Sequence, residues 1–434
     1  MKYYISIVIV FMSVCIHVHS QEDITYQTPS KEIAELIDVQ ETPDIWINEE
    51  GNMMILLYSN SFKSLAELSE KEMRLAGAII NPVTNIEKRI PHYIDIKLMN
   101  IGDSSQIEIK GLPKKVKISF LTWSPDQSKL AFTNTTEYGV ELWIINLATA
   151  TANKITEAQL NASIGPPYAW NSNGESLLVK CIPVNRKELI DKDNSIPKGP
   201  RVSVTSGTKA QNRTFQNLLK DKTDEYNFEQ LALSELYEVS LTGEKTFWKE
   251  AKIYSTINYS PDGNYVLVSN IEKPFSYLVT YDRFPNKTTV YNTKGEEVKV
   301  ISEVPLIEVL PSGFDVAHTG KRFIEWRSDK PATITWVKAL DGGDAKVKAE
   351  HREELFELEA PFTDTPRSLI KLHNRYYNEI FWGNDHVAII MDKIWNTRNT
   401  KMYVFNPSDP KQEVKIISDR NLQDKYTYPG LPVM

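Results

Sequence analysis

The chain has 434 residues, 41% of them apolar, and a formal net charge of −7. That is enough apolar material for a sizeable core, and the length leaves room for two or three domains, although all-β folds often exceed that prior as one unit. With no basic excess, the composition excludes an electrostatic footprint for nucleic acid, and so mild a charge names no other partner.

Residues 1–20 read as a secretory signal peptide. Lys2 supplies the positive start, "YYISIVIVFMSVCI" is the apolar stretch, and cleavage is predicted after the small residue Ser20, with Val18 two positions earlier. The stretch is too short to span a membrane comfortably, and no later apolar run reaches the roughly 20 residues a span needs. A secreted or periplasmic protein is expected. Lipidation at Cys15 is the alternative, but Val14 is bulky for that position. Without the signal one cysteine is left, Cys181, so no internal disulfide can form. It sits in the apolar alternation "SLLVKCIPV" and reads as a buried small hydrophobe.

Along the mature chain, runs rich in Val, Ile, Tyr, Phe, Trp and Thr alternate with Pro-Asp, Asn-Gly and Asp-Gly turns, the pattern of strands and hairpins. The clearest helix is predicted over Ser64–Ala76, with Ser64 and Glu67 forming a capping box. The strand pattern repeats. "LTWSPDQSKLAFTNTTEYGVELWIINL" from Leu121, "YAWNSNGESLLVKCIPV" from Tyr168 and "INYSPDGNYVLVSNI" from Ile257 each place an aromatic before a polar turn and an alternating strand. Weaker copies start at Asp44, Ile324 and Ile380. Trp123 and Trp170 are 47 residues apart, and Trp326 and Trp382 are 56 apart. A period of about 40–50 residues with several strands per unit is the mark of a β-propeller, in which small sheets stack radially because none can bury both faces alone. The reading is therefore all-β: a propeller with about six visible blade copies, an incomplete seven-bladed ring, with a sandwich or solenoid as the alternative. Residues 21–434 form this domain. Between about 184 and 230 the pattern breaks into a polar, charged stretch, expected to be a long mobile insertion within one blade.

The search for chemistry finds little. None of the 18 glycines are spaced as the G-x-S-x-G elbow of an α/β-hydrolase. His17 and His19 leave with the signal, and His92, His318, His351, His373 and His386 are scattered without metal-ligand spacing. "DKDNS" from Asp191 has part of a calcium loop's spacing but lacks its Gly and closing Glu. No phosphate-cradling loop occurs, and Gly342-Gly343 reads as a turn. Four N-x-[ST] sequons, at Asn134, Asn161, Asn212 and Asn286, carry little meaning in a bacterial setting. No catalytic, cofactor-binding or metal-binding residue is assigned.

"EWRSDKPATITWVKALDGGDAK", ending at Lys346, resembles a run in the propeller of the glutamyl endopeptidase branch of the prolyl oligopeptidase family. "EMRLAGAIINPVTNIEKR" from Glu72 resembles that branch's R-L-A-G-x-R-I-x-P-x-T-N signature, with Ala78-Ile79 standing where a hydrophobic residue and Arg are usual. "YQTPSKEIAELIDVQETPDIWIN", "DKIWNTRNTKMYVFNP" and "YTYPGLPVM" match other propeller segments in order. The resemblance covers nearly the whole mature chain. It implies a Ser-Asp-His triad in a following α/β-hydrolase domain that is absent from these residues, a substrate-gating role for the propeller, and a peptide channel. It also implies cationic donors for an acidic side chain, with Arg322, Arg327, Arg367 and Arg375 as candidates. The expected function is thus the propeller portion of a secreted serine peptidase, truncated or split from its catalytic domain and inactive alone. Its partners would be a peptide substrate and a separate hydrolase domain or chain, with no nucleic acid and no membrane span. The competing readings are an independent periplasmic binding module and a propeller enzyme that uses channel carboxylates.

Overall fold

The computed structural model describes residues 28–431 apart from 38, 40, 193 and 195–214; the signal-peptide reading and Asn212 lie outside the described residues. Strands dominate, arranged as antiparallel meanders of four. Blade 1 comprises Asp44–Ile47, Met53–Tyr58, Asp95–Asn100 and Gln106–Ile107, and blade 2 comprises Ile118–Trp123, Lys129–Thr135, Val140–Asn146 and Thr151–Lys154. Blades 3 and 4 share one long strand, Lys245–Tyr259. Its first half pairs with Ser234–Ser240 and closes blade 3 behind Tyr168–Trp170 and Ser176–Cys181. Its second half pairs with Tyr265–Ile271 and opens blade 4, which continues through Asn286–Asn292 and Glu297–Val304. Blade 5 is Arg322–Trp326, Thr333–Ala339, Glu353–Glu359 and Arg367–Leu372, and blade 6 is Arg375–Asn384, Val387–Ile394, Asn399–Phe405 and Lys415–Asn421.

The six sequence copies are the first hairpins of these six blades. Their turns are built by their own side chains. In blade 2 the Ser124 hydroxyl donates to Asp126 (2.6 Å) and accepts from the Lys129 amide (2.9 Å). Ser260, Asp262 and Tyr265 repeat this in blade 4. Such Ser-Pro-Asp turns satisfy the backbone polar groups of the turn locally.

First strands of successive blades touch, which places them innermost. Thr122 donates to the Tyr168 hydroxyl (3.2 Å), Ser172 to the Ser260 carbonyl (2.6 Å), and the Trp326 indole to the Asn258 carbonyl (3.2 Å). Between blades lie apolar cores. Ile55 and Leu57 meet Leu130 and Phe132; Leu142 meets Leu177 and Val179; Leu178 and Leu236 meet Val266 and Val268. Leu267 and Val290 then meet Ile334 and Trp336, and Val337 and Leu355 meet Ile390 and Tyr403. The repeat aromatics Trp123, Trp170, Tyr259, Trp326 and Trp382 each pack on one of these five cores, as the repeat predicted. Among the described residues no core joins blade 6 to blade 1.

Two local expectations are corrected. The predicted helix at Ser64–Ala76 is a single turn, Leu65–Leu68, with the Ser64/Glu67 capping box in place, while Met73–Leu75 is a strand. Leu75 is drawn into a core and pairs with Ala78, so tertiary burial overrides helical propensity there. The stretch at 184–230 does interrupt blade 3, between its second and third strands. Its last part, however, is the helix Lys222–Ala232, capped by Asp221 and buried through Phe228 and Leu231.

Candidate functional site: the elaborated face

In a four-strand meander, the first-to-second and third-to-fourth turns fall at one end of the sheet. The second-to-third connector and the crossing to the next blade fall at the other end. The tight Ser-Pro-Asp turns therefore share one face of the ring. The long connectors share the opposite face: 59–94 in blade 1, 182–233 in blade 3, 272–285 in blade 4 and 340–352 in blade 5, with the crossing at 305–321.

Three of these connectors leave their own blades and pack together. Leu75, Ala76, Ala78 and Ile80 from the blade 1 hairpin meet Phe228 and Leu231 of the inserted helix, and Phe275, Val279 and Phe284 of blade 4. The Phe228 and Phe275 rings lie edge to face at 5.3 Å. This core also explains the R-L-A-G signature. Ala76 and Gly77 both have positive φ, as a two-residue hairpin turn requires. A Cβ on Gly77 would lie 2.4 Å from the Thr280 methyl. Ala78, where the signature departs from the usual pattern, is fully buried in the same core. The signature's final Asn85 is buried too. Its amide donates to Asn161 (2.9 Å) and to the Leu231 carbonyl (2.8 Å), and its carbonyl oxygen accepts from Arg186.

The D-G-G-D run is a second lock. Asp341 accepts from Arg352 and Arg375 at 2.8 Å each and from the Gly343 amide at 3.0 Å. Burial opposes ionisation of Asp341, but the two guanidinium groups outweigh it and hold the carboxyl below its ordinary range. Gly343 lies so close to the 305–321 crossing that a Cβ would be 1.9 Å from the Ala317 carbonyl oxygen. On the opposite face, the W-R-x-D-K-P run locks blade 5 to blade 6. Arg327, 1% exposed, is bidentate to Asp329 (3.0 and 2.6 Å), reaches Glu357 at 2.6 Å and stacks 4.2 Å over Trp382. Lys330 pairs with Asp385 of blade 6 at 2.6 Å.

These locks settle where the four candidate arginines sit. Arg322 pairs with Glu353 at 2.5 Å, Arg327 with Asp329 and Glu357, Arg367 with Glu357, and Arg375 with Asp341 and Glu353. Each guanidinium pairs with a carboxylate of this chain; Arg322, Arg327 and Arg375 are largely enclosed, while Arg367 remains 44% exposed. Sequence inspection missed this; the one local signal was the Arg327–Asp329 spacing, which puts both side chains on one side of an extended segment.

The other sequence candidates stay structural. Cys181 is buried, and burial pushes its thiol up to about 11. Asn161 is buried with its amide on the Leu231 and Leu233 carbonyls, and Asn134 is buried with its amide on Glu141, so neither sequon is open. His92 faces Glu67 at 3.2 Å, His318 is half-buried with burial pushing it down to about 4, and His351 and His373 stack at 4.6 Å. Among the described residues no three His, Cys, Asp or Glu side chains cluster as a metal site. In the "DKDNS" stretch, Asn194 bonds Asp191, and Lys192 pairs with Asp221 and Asp224.

The connectors of the elaborated face carry exposed apolar side chains. Every second-to-third connector carries at least one: Phe62 in blade 1, Tyr138 in blade 2, Val184 in blade 3, Leu278 in blade 4, Leu340 in blade 5 and Trp395 in blade 6. The 305–321 crossing adds Val309 and Phe314. The strand ends beside the tight turns of the opposite face expose apolar side chains too, among them Phe247, Val298 and Val387. The elaborated face also holds an open cleft of about 1120 Å³ between blades 1 and 2, lined by Thr84, Tyr138, Glu141 and Trp143. A hollow of about 640 Å³ lies along the 305–321 crossing beside His318.

The architecture is that of a β-propeller with long connectors on one face. The chain is 32% identical over 425 residues to a probable chloroplastic glutamyl endopeptidase of Oryza sativa subsp. japonica, and 33% identical over 420 residues to its namesake in Arabidopsis thaliana. Those matches take in 94% and 93% of this chain but only 45% and 43% of the relatives, so the chain spans under half the length of the curated proteins it matches. No family model matches. Among solved structures, the acylaminoacyl peptidase of Pyrococcus horikoshii aligns over 88% of this chain and 46% of its own, at 12% identity and a TM-score of 0.44. The chain belongs to the glutamyl endopeptidase branch of the prolyl oligopeptidase family, as a propeller portion.

Proposed function

We propose that this chain is the platform of a secreted, glutamyl-endopeptidase-like serine peptidase, and that its elaborated face seats an α/β-hydrolase domain supplied from outside residues 1–434. The observation that carries the reading is that every second-to-third connector of one face exposes an apolar side chain. One exposed apolar side chain on each connector, repeated around the ring, supports reading this face as the docking side. The peptide-cutting chemistry would belong to the partner domain, since the 434 residues hold no G-x-S-x-G elbow. The signal-like residues 1–20 support export to the periplasm or beyond.

The ring itself asks for one more sheet. Six blades share five cores among the described residues, and Ile45 and Ile47 of the innermost strand of blade 1 are each 54% exposed. A further blade between blades 6 and 1 would cover them.

The test mixes the purified mature chain with a separately produced α/β-hydrolase domain of a glutamyl endopeptidase. The expected result is a complex on size-exclusion chromatography, weakened at least tenfold by Leu278→Asp with Val309→Asp, and glutamyl-peptide hydrolysis by the mixture only. A mature chain that runs as a stable monomer, ignores the hydrolase domain and melts in one step would instead support an independent binding module. Hydrolysis by the chain alone would overturn the platform reading outright.

A further inference from the structure

The open cleft of about 1120 Å³ between blades 1 and 2 is lined by a carboxylate, a lysine and two aromatic rings that the fold places together. Glu141 and Trp143 lie two residues apart on the third strand of blade 2, and Lys154 stands opposite Trp143 on the fourth. One face of the sheet therefore presents all three. Trp143 stacks on Phe132 at 6.3 Å between ring centroids, and Tyr138, 76% exposed, adds a second ring to the lining.

Glu141 is held from behind. Its Oε2 accepts from the Trp143 indole at 2.7 Å and from the Asn134 amide at 3.0 Å. The Asn134 side-chain carbonyl accepts in turn from the Lys117 backbone amide at 3.0 Å, which fixes the donor's orientation. The Glu141 side chain is only 13% exposed. Its Oε1 accepts no hydrogen bond among the described residues, yet it is not shut off from solvent. The Lys154 ammonium lies 3.8 Å from Oε1, too far for a hydrogen bond, and pairs with Glu157 at 2.7 Å.

These distances select the chemistry of a ligand. A largely enclosed carboxylate oxygen without a donor leaves hydrogen-bonding capacity unused. An anion would lie against Glu141, and a further cation would lie against Lys154, so the pair favours an uncharged ligand. A hydroxyl both donates and accepts. Neighbouring hydroxyls on one ring can thus bridge an acid and a base held just out of contact, one donating to Glu141 and the next accepting from Lys154. The apolar side of such a ring suits the aromatic surfaces of Trp143 and Tyr138. Aromatic walls with a few fixed polar groups are the usual make-up of a small-molecule site.

We propose that Glu141, Lys154, Trp143 and Tyr138 form a binding site for a neutral saccharide, with vicinal hydroxyls bridging Glu141 and Lys154 and the apolar side of the sugar against the two rings. The site does not depend on the platform reading.

The experiment is calorimetric titration of the full mature chain with maltotriose, cellotriose and triacetylchitotriose, and with acetyl-Ala-Ala-Ala-amide as a neutral peptide. At least one saccharide is expected to bind at one site per chain. Glu141→Gln and Lys154→Met should each weaken it about tenfold, as loss of a hydrogen bond to a charged group does. Tyr138→Ala, at an exposed connector position, should weaken it about fivefold through the lost ring contact. Melting curves of each variant verify the fold. Leu278→Asp with Val309→Asp, the variant that tests docking of the hydrolase domain, should leave saccharide binding unchanged. Failure of all three saccharides to bind at millimolar concentration, affinities that survive all three cleft substitutions, or the peptide bound as tightly as the best saccharide would each overturn the site. The titration needs no hydrolase domain, so its failure leaves the platform reading standing, and loss of complex formation leaves this site standing.

Discussion

Replacing Arg327 by Met tests whether the W-R-x-D-K-P run is a lock between blades. The guanidinium is 1% exposed and serves two carboxylates, with Asp329 and Glu357 side chains only 8% and 10% exposed. Removing one partner of a buried ion network costs about 3–5 kcal/mol, because the opposing charge is left uncompensated. Glu357 keeps Arg367, so Asp329 is the main orphan and the lower end applies. Loss of the contact over Trp382 adds about 1 kcal/mol. The total is about 4 kcal/mol. At an unfolding entropy of ~2.1 cal/mol/K per residue, a ring of ~400 residues melting as one unit would lose about 5 °C. Urea unfolding followed by tryptophan fluorescence and by circular dichroism measures the change directly. Arg367→Met is the control: its side chain is 44% exposed and its pairing with Glu357 should contribute under about 1 kcal/mol. Adding Asp329→Asn to Arg327→Met should restore at least ~1 kcal/mol by removing the stranded charge. If Arg327→Met costs no more than Arg367→Met, the lock does not exist.

Two further outcomes follow from the same geometry. Gly343→Ala should cost several times more than Gly342→Ala in thermal melts. A Cβ at 343 meets the Ala317 carbonyl at 1.9 Å, whereas at 342 nothing lies within 4 Å and only the left-handed strain of about 1–2 kcal/mol remains; equal costs would refute the docking of the D-G-G-D turn. Burial works against the charge of Glu67, but Lys117, the Ser64 amide and His92 outweigh it and hold the carboxyl at about 2, below the ordinary 4.5. Because the folded state holds the proton less tightly, this contribution is complete above pH 4.5 and fades as pH falls toward 2. Glu67→Gln should therefore lower the melting temperature at pH 6 and make no difference near pH 2; a deficit independent of pH would count against the ion pair.

How much was legible in the chain depends on the range of the interaction. The six hairpins could be read because a polar turn, Ser-Pro-Asp in two of them, and an alternating strand are local: Ser124, Asp126 and Lys129 satisfy one another within six residues. The repeat aromatics could be placed between blades because only a residue present in every copy can fill the same gap in every copy. The resemblance marked the R-L-A-G and D-G-G-D runs but gave no physical reason for them. That reason lies in Thr280 and Ala317, contacts about 200 residues and 26 residues away in sequence. The helix at Lys222–Ala232 was hidden because its charged face dominates the composition while Phe228 and Leu231 find their partners in blades 1 and 4.

The sequence by itself determined the all-β class, the repeat and the family, since periodicity and turn chemistry act over neighbouring residues. Only the tertiary structure decided which charges are spent. Arg327 and Arg375 are indistinguishable from Arg398 as letters, yet the first two also reach Glu357 and Glu353 on the third strand of blade 5, while the third stacks on Trp395. Beyond the adjacent Arg327–Asp329 pair, opposite charges meet or miss according to how the blades bring distant strands together.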